Sequence, residues 1–293
     1  MSDVTGWRCA FVAAFAVAFA AGACAEPPIW RVTGPKGSAV LFGSVHLLPK
    51  GLTWRTPALT DAVAAANEIW FEIPIGGDDD QRAADILSSR GSLPRGDSLA
   101  AHLTPEMLRR LHDAAVRVGL TPSVVDGMRP WLADATLSVA SDARTGALTS
   151  QGVERQIDAI AASTARHHAL ETVGDQVGAL ADGSIAEQID LLAVTLDELE
   201  LKPDAYRTLV SAWVAGDVAA IRVEALDPLH AASPRAYRAL ITDRNRRWAR
   251  RIERRLARPG RLVVVVGVGH LVGPESLPFL LRAARLRVDG PVE

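Results

Sequence analysis

The chain has 293 residues, of which 48% are hydrophobic, and its formal charge is −2 at pH 7. This length permits one large domain or two small ones, and the apolar content is sufficient for a buried core. The near-neutral charge argues against the molecule as a whole binding nucleic acid.

The N-terminal segment, residues 1–25, has the composition of a secretory signal peptide. Cys9–Ala21 is uncharged and apolar, and small residues flank Cys24 in the pattern of a cleavage site. We therefore expect a periplasmic or secreted mature protein, residues 26–293, without a membrane span. A transmembrane anchor, for which the stretch is short, and a lipoprotein modified at Cys24 are the alternatives. Both cysteines fall in this segment, so a metal site in the mature chain has to use His, Asp or Glu.

The first part of the mature chain alternates apolar runs with turn residues. Ile29–Thr33 and Ala39–Val45 are joined by a Gly-Pro-Lys-Gly turn and predict a β-hairpin. Thr56 precedes Pro57 in the manner of a helix start. Glu68–Pro74 follows as the next strand. Its first glutamate is expected on a solvated face.

The middle of the chain is predicted to be mostly helical, in two parts at about 81–165 and 184–257. A strand at His168–Val173 separates them. The last helix, from Pro234, is rich in arginine, which indicates a solvated face, with phosphate or nucleic-acid binding as the alternative. The most apolar strand, Leu262–Val268, comes next, and a short helix and strand close the chain. We predict one α/β domain whose central mixed β-sheet is built from both ends of the chain, with a large helical insert.

Two of the apolar strands end in the same spacing, G-x-x-H. Gly43 and His46 follow the first strand, and Gly267 and His270 follow the second. If the strands share a sheet, both imidazoles lie at its carboxyl edge, where open α/β sheets bind ligands. Both glycines can take positive φ, and they let the backbone approach a metal or a substrate closely.

Glu72, near the end of its strand, is expected at the same edge. Two imidazoles and a carboxylate can hold a catalytic divalent ion such as Mn, Co or Zn, which polarises a carbonyl and acidifies a bound water. Glu72 can instead be the general base, with the third ligand elsewhere. A histidine after a glycine turn is also commonly a structural hydrogen-bonding residue. The chain contains no G-x-S-x-G, H-E-x-x-H or P-loop motif.

Several motifs, in order from Trp30 to the C-terminus, resemble those of the TraB/PrgY/GumN family, which contains the Tiki metalloproteases. Besides Trp30, they are Gly43-Ser44-Val45-His46-Leu47, Glu72, Arg129-Pro130-Trp131, Gly152-Val153-Glu154, Leu170-Glu171-Thr172 with Gln176, Asp243-Arg244-Asn245 with Trp248, and Gly267-Val268-Gly269-His270-Leu271 with Gly273-Pro274. Arg129 and Asp243 stand where the family carries Lys and Glu.

The resemblance implies a metal-dependent hydrolase or protease centre and an α/β core related to the erythromycin-esterase and ChaN-like folds. Its centre would consist of His46, His270 and Glu72, and the supporting or substrate-contacting residues would be Glu171, Arg244 and Asn245. The expected function is an exported, peptidase-like metallohydrolase acting on a peptide or protein. The alternative is a non-catalytic envelope protein that binds a peptide or glycan in the same cleft, linked to polysaccharide production. The oligomeric state is left open.

Overall fold

The computed structural model describes residues 26–161 and 163–292. The expected signal peptide, its cleavage site and the two cysteines lie outside the described residues. Within the described residues, no helix is both long enough and apolar enough to cross a membrane.

The described strands form a six-stranded mixed sheet, in the order β6-β4-β7-β2-β1-β8, and a two-stranded ladder of β3 and β5. They are β1 (Ile29–Thr33), β2 (Gly37–Ser44), β3 (Leu48–Pro49), β4 (Glu68–Phe71), β5 (Ala147–Leu148), β6 (Arg166–Ala169), β7 (Gly260–Gly267) and β8 (Arg287–Asp289). The central strands β6, β4, β7 and β2 are parallel, whereas β1 is antiparallel to both its neighbours. The predicted α/β class, with a mixed sheet built from both ends of the chain, is confirmed.

The described α-helices are α1 (Pro57–Ala64), α2 (Asp78–Gly91), α3 (Pro105–Arg117), α4 (Pro122–Asp126), α5 (Pro130–Arg144), α6 (Val153–Ile160), α7 (Val173–Ala181), α8 (Ile185–Leu201), α9 (Ala205–Ala215), α10 (Val218–Ala225), α11 (Asp227–Ala232), α12 (Pro234–Tyr237), α13 (Asp243–Leu256) and α14 (Leu277–Ala283). Several begin where the sequence places a cap. The hydroxyl oxygens of Thr56 and Thr104 accept a hydrogen bond from the backbone N–H three residues on, and Ser184 forms a capping box.

Apolar side chains form two main clusters. The larger one packs on the sheet and includes every residue of Leu262–Val266 in β7. The smaller one joins α3, α5 and α8 through side chains such as Leu111, Leu137 and Leu192. Fully burying one such side chain contributes roughly 1.5–3 kcal/mol. The helical middle of the chain therefore has a core of its own beside the core of the sheet.

Three predictions of element boundaries are wrong. Strand β4 ends at Phe71, so Glu72 follows the strand instead of lying within it. Strand β6 ends before Glu171 in the same way. The long helix predicted from Pro234 is interrupted by a π-helical turn, Arg238–Thr242. Both carboxylates therefore leave the sheet at its edge, where they are free to turn toward a common partner.

The prediction of a solvated face for Glu68 is also wrong, because the residue is only 5% exposed. Its strand lies between β6 and β7 rather than at an edge. Arg166 donates to the buried carboxylate at 2.7 Å and Arg255 donates at 3.0 Å. Two arginines that are distant in sequence thus supply the charge that permits this burial.

The two G-x-x-H motifs leave the same edge of the sheet, because β2 and β7 pair in parallel with Ser44 opposite Gly267. Neither motif glycine uses the positive φ that the residue permits. Each instead lies close to another side chain of the protein. A Cβ at Gly43 would lie 2.8 Å from Cγ2 of Val268, and one at Gly267 would lie 3.2 Å from Oε1 of Glu72.

We expect Gly43→Ala to lower the free energy of unfolding by roughly 1–3 kcal/mol, since the added methyl group has to push β2 away from Val268. Urea unfolding followed by circular dichroism measures this change. The matched control is Gly174→Ala in α7, where the nearest atom to the added Cβ is 3.6 Å away. That variant is expected to be neutral or slightly more stable. Equal stability of the two variants would contradict the close approach.

Candidate functional site

A buried ion-pair cluster lies where β4 and β6 end. Arg244, in the first turn of α13, donates through Nη2 to Oε2 of Glu72 and to Oε1 of Glu171, both at 2.6 Å. Its Nε also donates to Glu171, at 2.9 and 3.2 Å. The three residues are 5–8% exposed. Removing one partner of a buried pair costs about 3–5 kcal/mol, so the cluster fixes both strand ends against α13.

Glu72 is held by more than Arg244. Its Oε1 accepts from the backbone N–H of Gly267 at 2.6 Å, and its Oε2 accepts from Gln176 at 3.1 Å. Burial alone would raise the pKa of Glu72, but the positive charges of Arg244 and His46 and the hydrogen bond from the Gly267 N–H outweigh burial and lower it well below its ordinary value. Glu72 is therefore a carboxylate at neutral pH.

His270 is buried in the same cluster, and its hydrogen bonds assign its tautomer. Asn245 donates its amide N–H to the carbonyl oxygen of Glu275 at 2.9 Å, so its Oδ1 faces the ring and accepts from Nδ1 at 2.8 Å. Nε2 then carries the lone pair and accepts from Nη1 of Arg244 at 3.2 Å. Burial lowers the pKa of His270 to about 3, against the opposing charge of Glu72. The ring is neutral at neutral pH.

The π-helical turn before α13 helps to position this cluster. π-Helical turns are rare in proteins as a whole, and those that occur are often found at functional sites. Here the turn ends immediately before Asp243, and the carbonyl oxygen of Leu240 within it accepts from Nη1 of Arg244 at 3.1 Å. Arg244 and Asn245 thus enter the cluster at the end of an irregular turn that the hydrophobic pattern did not predict.

His46 lies in a different setting, since its side chain is 63% exposed. Its Nδ1 is 2.6 Å from Oε1 of Glu154 in α6. The start of α6 is pressed against the His46 turn: the Val153 N–H donates to the carbonyl oxygen of Val45 at 3.1 Å. A Cβ at Gly152 would overlap the carbonyl oxygen of His46. This close contact is what brings Glu154 to the imidazole.

The charge of Glu154, which also accepts the hydrogen bond of the ring, raises the pKa of His46 to about 9. Burial alone would raise the pKa of Glu154, but the charge and the hydrogen bond of His46 outweigh burial, so the pKa of Glu154 is lowered. The two side chains therefore form an ion pair at neutral pH. Glu72 and Arg244 also contribute to the shift at His46, so the exposed histidine and the buried cluster are electrostatically coupled.

The structure thus unites most of the residues singled out in the sequence in one buried network: Glu72, Glu171, Arg244, Asn245 and His270. His46 stands beside this network with Glu154. No three His, Cys, Asp or Glu side chains of residues 26–161 and 163–292 are grouped closely enough to hold a metal ion as they stand. Glu154 and Gln176 belong to the G-V-E and L-E-T…Q motifs, but no role was predicted for either residue from the sequence.

The donor groups nevertheless fit a divalent ion in chemical type. Nδ1 of His46 is held by Glu154 and Nδ1 of His270 by Asn245, which leaves Nε2 of each ring as the candidate ligand. Metal-bound histidines are held in this way by a residue behind the ring. Binding requires that Arg244 leave Nε2 of His270 and that His46 lose its Nε2 proton.

We expect Glu154→Gln to lower the pKa of His46 from about 9 toward its ordinary value of 6.5, because the neutral amide no longer stabilises the imidazolium. An NMR titration of the histidine ring signals measures the shift. Asp97→Asn, which removes the carboxylate 2.9 Å from His102, is the control and should leave the His46 curve unchanged. If His46 titrates at the same pH in both variants, Glu154 does not set its charge.

The model of the TraB/PrgY/gumN family matches residues 28–289. An uncharacterized protein of Treponema pallidum (strain Nichols) is 24% identical over 276 residues, which cover 89% of this chain and 82% of that protein. The uncharacterized protein YbaP of Escherichia coli (strain K12) is 24% identical over 248 residues, which cover 83% and 87% of the two chains. No solved structure matches. Since the family model spans nearly the whole described chain, this protein belongs to the TraB/PrgY/gumN family.

Proposed function

We propose that this protein is an exported metal-dependent hydrolase that cleaves peptide bonds, with a fold related to the erythromycin-esterase and ChaN-like folds. The observation that carries the proposal is the pair of histidines at one sheet edge. Each ring has its Nδ1 held by another side chain, and an ionised carboxylate, Glu72, lies beside them. The expected location is the periplasm or the medium.

His46, His270 and Glu72 would hold a divalent ion such as Mn, Co or Zn, which would supply Lewis-acid polarisation of the scissile carbonyl. Asn245 and Glu154 fix the orientation of the two rings. Arg244 keeps Glu72 and Glu171 in place and neutralises part of their charge.

Glu72 fits the role of a ligand better than that of a general base. A general base is most effective when its pKa lies near the working pH. The pKa of Glu72 is about 2, since the charges and the N–H around it outweigh its burial. A carboxylate this weakly basic takes up a proton poorly but remains negatively charged, as a ligand of a cation has to be.

His46 is the group that a substrate can reach, because its side chain is the most exposed part of the site. With its pKa raised by Glu154, it carries a proton at Nε2 at neutral pH. In the absence of a bound ion it can donate this proton to a substrate oxygen or nitrogen. Glu154 stabilises the charged ring until that proton is transferred and then holds the neutral ring through the Nδ1 hydrogen bond.

The alternative function is a non-catalytic protein that binds a peptide or glycan in the same cleft. One observation favours it: the guanidinium of Arg244 already pairs with both buried carboxylates and with Nε2 of His270. The buried charges of the cluster are therefore satisfied by the chain itself.

The test is cleavage of a peptide library, read by mass spectrometry, with Mn, Co or Zn added to the purified protein. We expect His46→Ala and His270→Ala each to lower the cleavage rate by about 100-fold or more, because each removes a group that acts on the reacting atoms. Metal content measured in parallel should fall in both variants. The matched control is His102→Ala, which removes a histidine paired with Asp97 outside the site.

Peptide binding without cleavage under all three metals would contradict the hydrolase and support the binding protein. Cleavage that persists in both histidine variants would contradict the assignment of the site. The control variant distinguishes these results from a general loss of folded protein, because His102→Ala should keep the wild-type cleavage rate and metal content.

A further inference from the structure

A groove lined with cations lies at the opposite edge of the sheet from the candidate site. It consists of two adjoining concavities of about 610 and 810 Å³, which share Arg166, Arg255 and Pro259 as lining residues. The amino ends of the parallel strands β2, β4, β6 and β7 meet there, at Gly37, Glu68, Arg166 and Gly260. We call this surface the cationic groove.

The lining of the cationic groove is strongly positive. The other five cations, besides the two shared arginines, are Arg251 and Arg254 from the last turns of α13, Arg258 from the loop after it, Lys36 from the turn before β2, and Arg261 from the start of β7. Glu68 is the single carboxylate among the described lining residues. On a chain with a formal charge of −2, seven cations around one carboxylate are a pronounced local excess.

Part of this lining is held rigidly. Glu68 accepts from Arg255 at 3.0 Å, from Arg166 at 2.7 Å and from the indole N–H of Trp70 at 3.0 Å. Burial alone would raise the pKa of Glu68, but these hydrogen bonds hold it at about 2. Arg251 lies over the Trp70 ring, 5.1 Å from its centroid. The buried carboxylate therefore anchors the arginines that form the floor.

Other cations of the groove are free to bind a ligand. The side chains of Lys36, Arg254 and Arg258 have no ion-pair or hydrogen-bond partner among the described residues, and all three residues are exposed. Cations near a helix C-terminus are favoured by the helix dipole, which accounts for Arg254 and Arg255 in the last turn of α13. Arg255 also donates to the carbonyl oxygens of Arg258 and Pro259 in the loop that follows. The dipole does not account for Lys36, which is on the turn between β1 and β2.

The shape of the cationic groove selects the class of ligand. Neighbouring strands are about 4.8 Å apart, so the cations spread over roughly 14 Å from β6 to β2, which suits a ligand with several anionic groups in a row. Single-stranded nucleic acids are bound on exposed aromatic rings. In the groove the indole of Trp70 is only 4% exposed, and the small His168 imidazole is the one aromatic ring of the described lining that reaches solvent. A concave surface also fits a chain better than it fits a flat bilayer.

We propose that the cationic groove binds a linear acidic polysaccharide, whose carboxylate, sulfate or phosphate groups pair with the arginine side chains. The planar guanidinium suits such oxyanions because it can donate two parallel hydrogen bonds to them. Arg255, on the floor of the groove, lies eleven residues after Arg244 in α13, which is about 16 Å at 1.5 Å per residue. The groove is therefore a second site, independent of the proposed hydrolase centre.

The test is isothermal titration of the full mature chain with a heparin octasaccharide and with an oligogalacturonate of equal length. The double variant Arg254→Gln, Arg258→Gln removes two unpartnered cations of the groove. We expect about tenfold weaker binding, since each exposed charge contributes up to roughly 1 kcal/mol. Wild-type affinity should fall as salt is raised, because salt screens exposed charges.

The control variant Arg238→Gln, Arg250→Gln removes the same charge from exposed positions outside the groove and should bind within twofold of the wild type. Unchanged melting temperatures show that both variants are folded. Equal loss in the two double variants, unchanged binding in the groove variant, or no binding of either oligosaccharide overturns the proposal. Tighter, groove-dependent binding of a single-stranded oligonucleotide or of anionic phospholipid vesicles also overturns it.

Discussion

The ion pairs of Arg244 with Glu72 and Glu171 are the interaction on which the candidate site depends. Buried charges have to be paired and hydrogen-bonded to be tolerated, so the loss of any one of the three side chains leaves buried charge on the others uncompensated. Through Glu72 the cluster also binds the backbone of Gly267, at the end of β7. One guanidinium thereby couples α13 to three neighbouring strands and sets the edge at which His270 is presented.

The two histidines at this edge differ in charge. His270 is buried and neutral, with its lone pair on Nε2, whereas His46 is exposed and cationic beside Glu154. Environments that push two pKa values apart are typical of sites in which one group donates protons and another accepts them or binds a cation. The contrast arises from burial at one ring and from a carboxylate at the other.

The order of apolar runs was enough to predict much of the sheet and the shared edge of the two motifs, because parallel neighbouring strands align their carboxyl ends. What failed depended on partners distant in sequence. Glu68 was expected in solvent because its partner Arg255 is distant in sequence. Glu154 reaches His46 only because Gly152, which has no side chain, permits close contact with the His46 backbone. The π-helical turn before Arg244 cannot be predicted from the hydrophobic periodicity of the sequence. For Gly43, both positive φ and close approach of the backbone were considered, and the structure shows a steric reason, contact with Val268, without positive φ.

The central claim is that the two strand-end histidines serve one bound ion. Anomalous diffraction at the cobalt edge, from crystals grown with Co²⁺, tests it most directly. We expect one strong peak for a cobalt ion coordinated by Nε2 of both His46 and His270, with the Arg244 guanidinium withdrawn from the His270 ring. A peak bonded to only one of the rings, or no cobalt at this edge of the sheet, would contradict it.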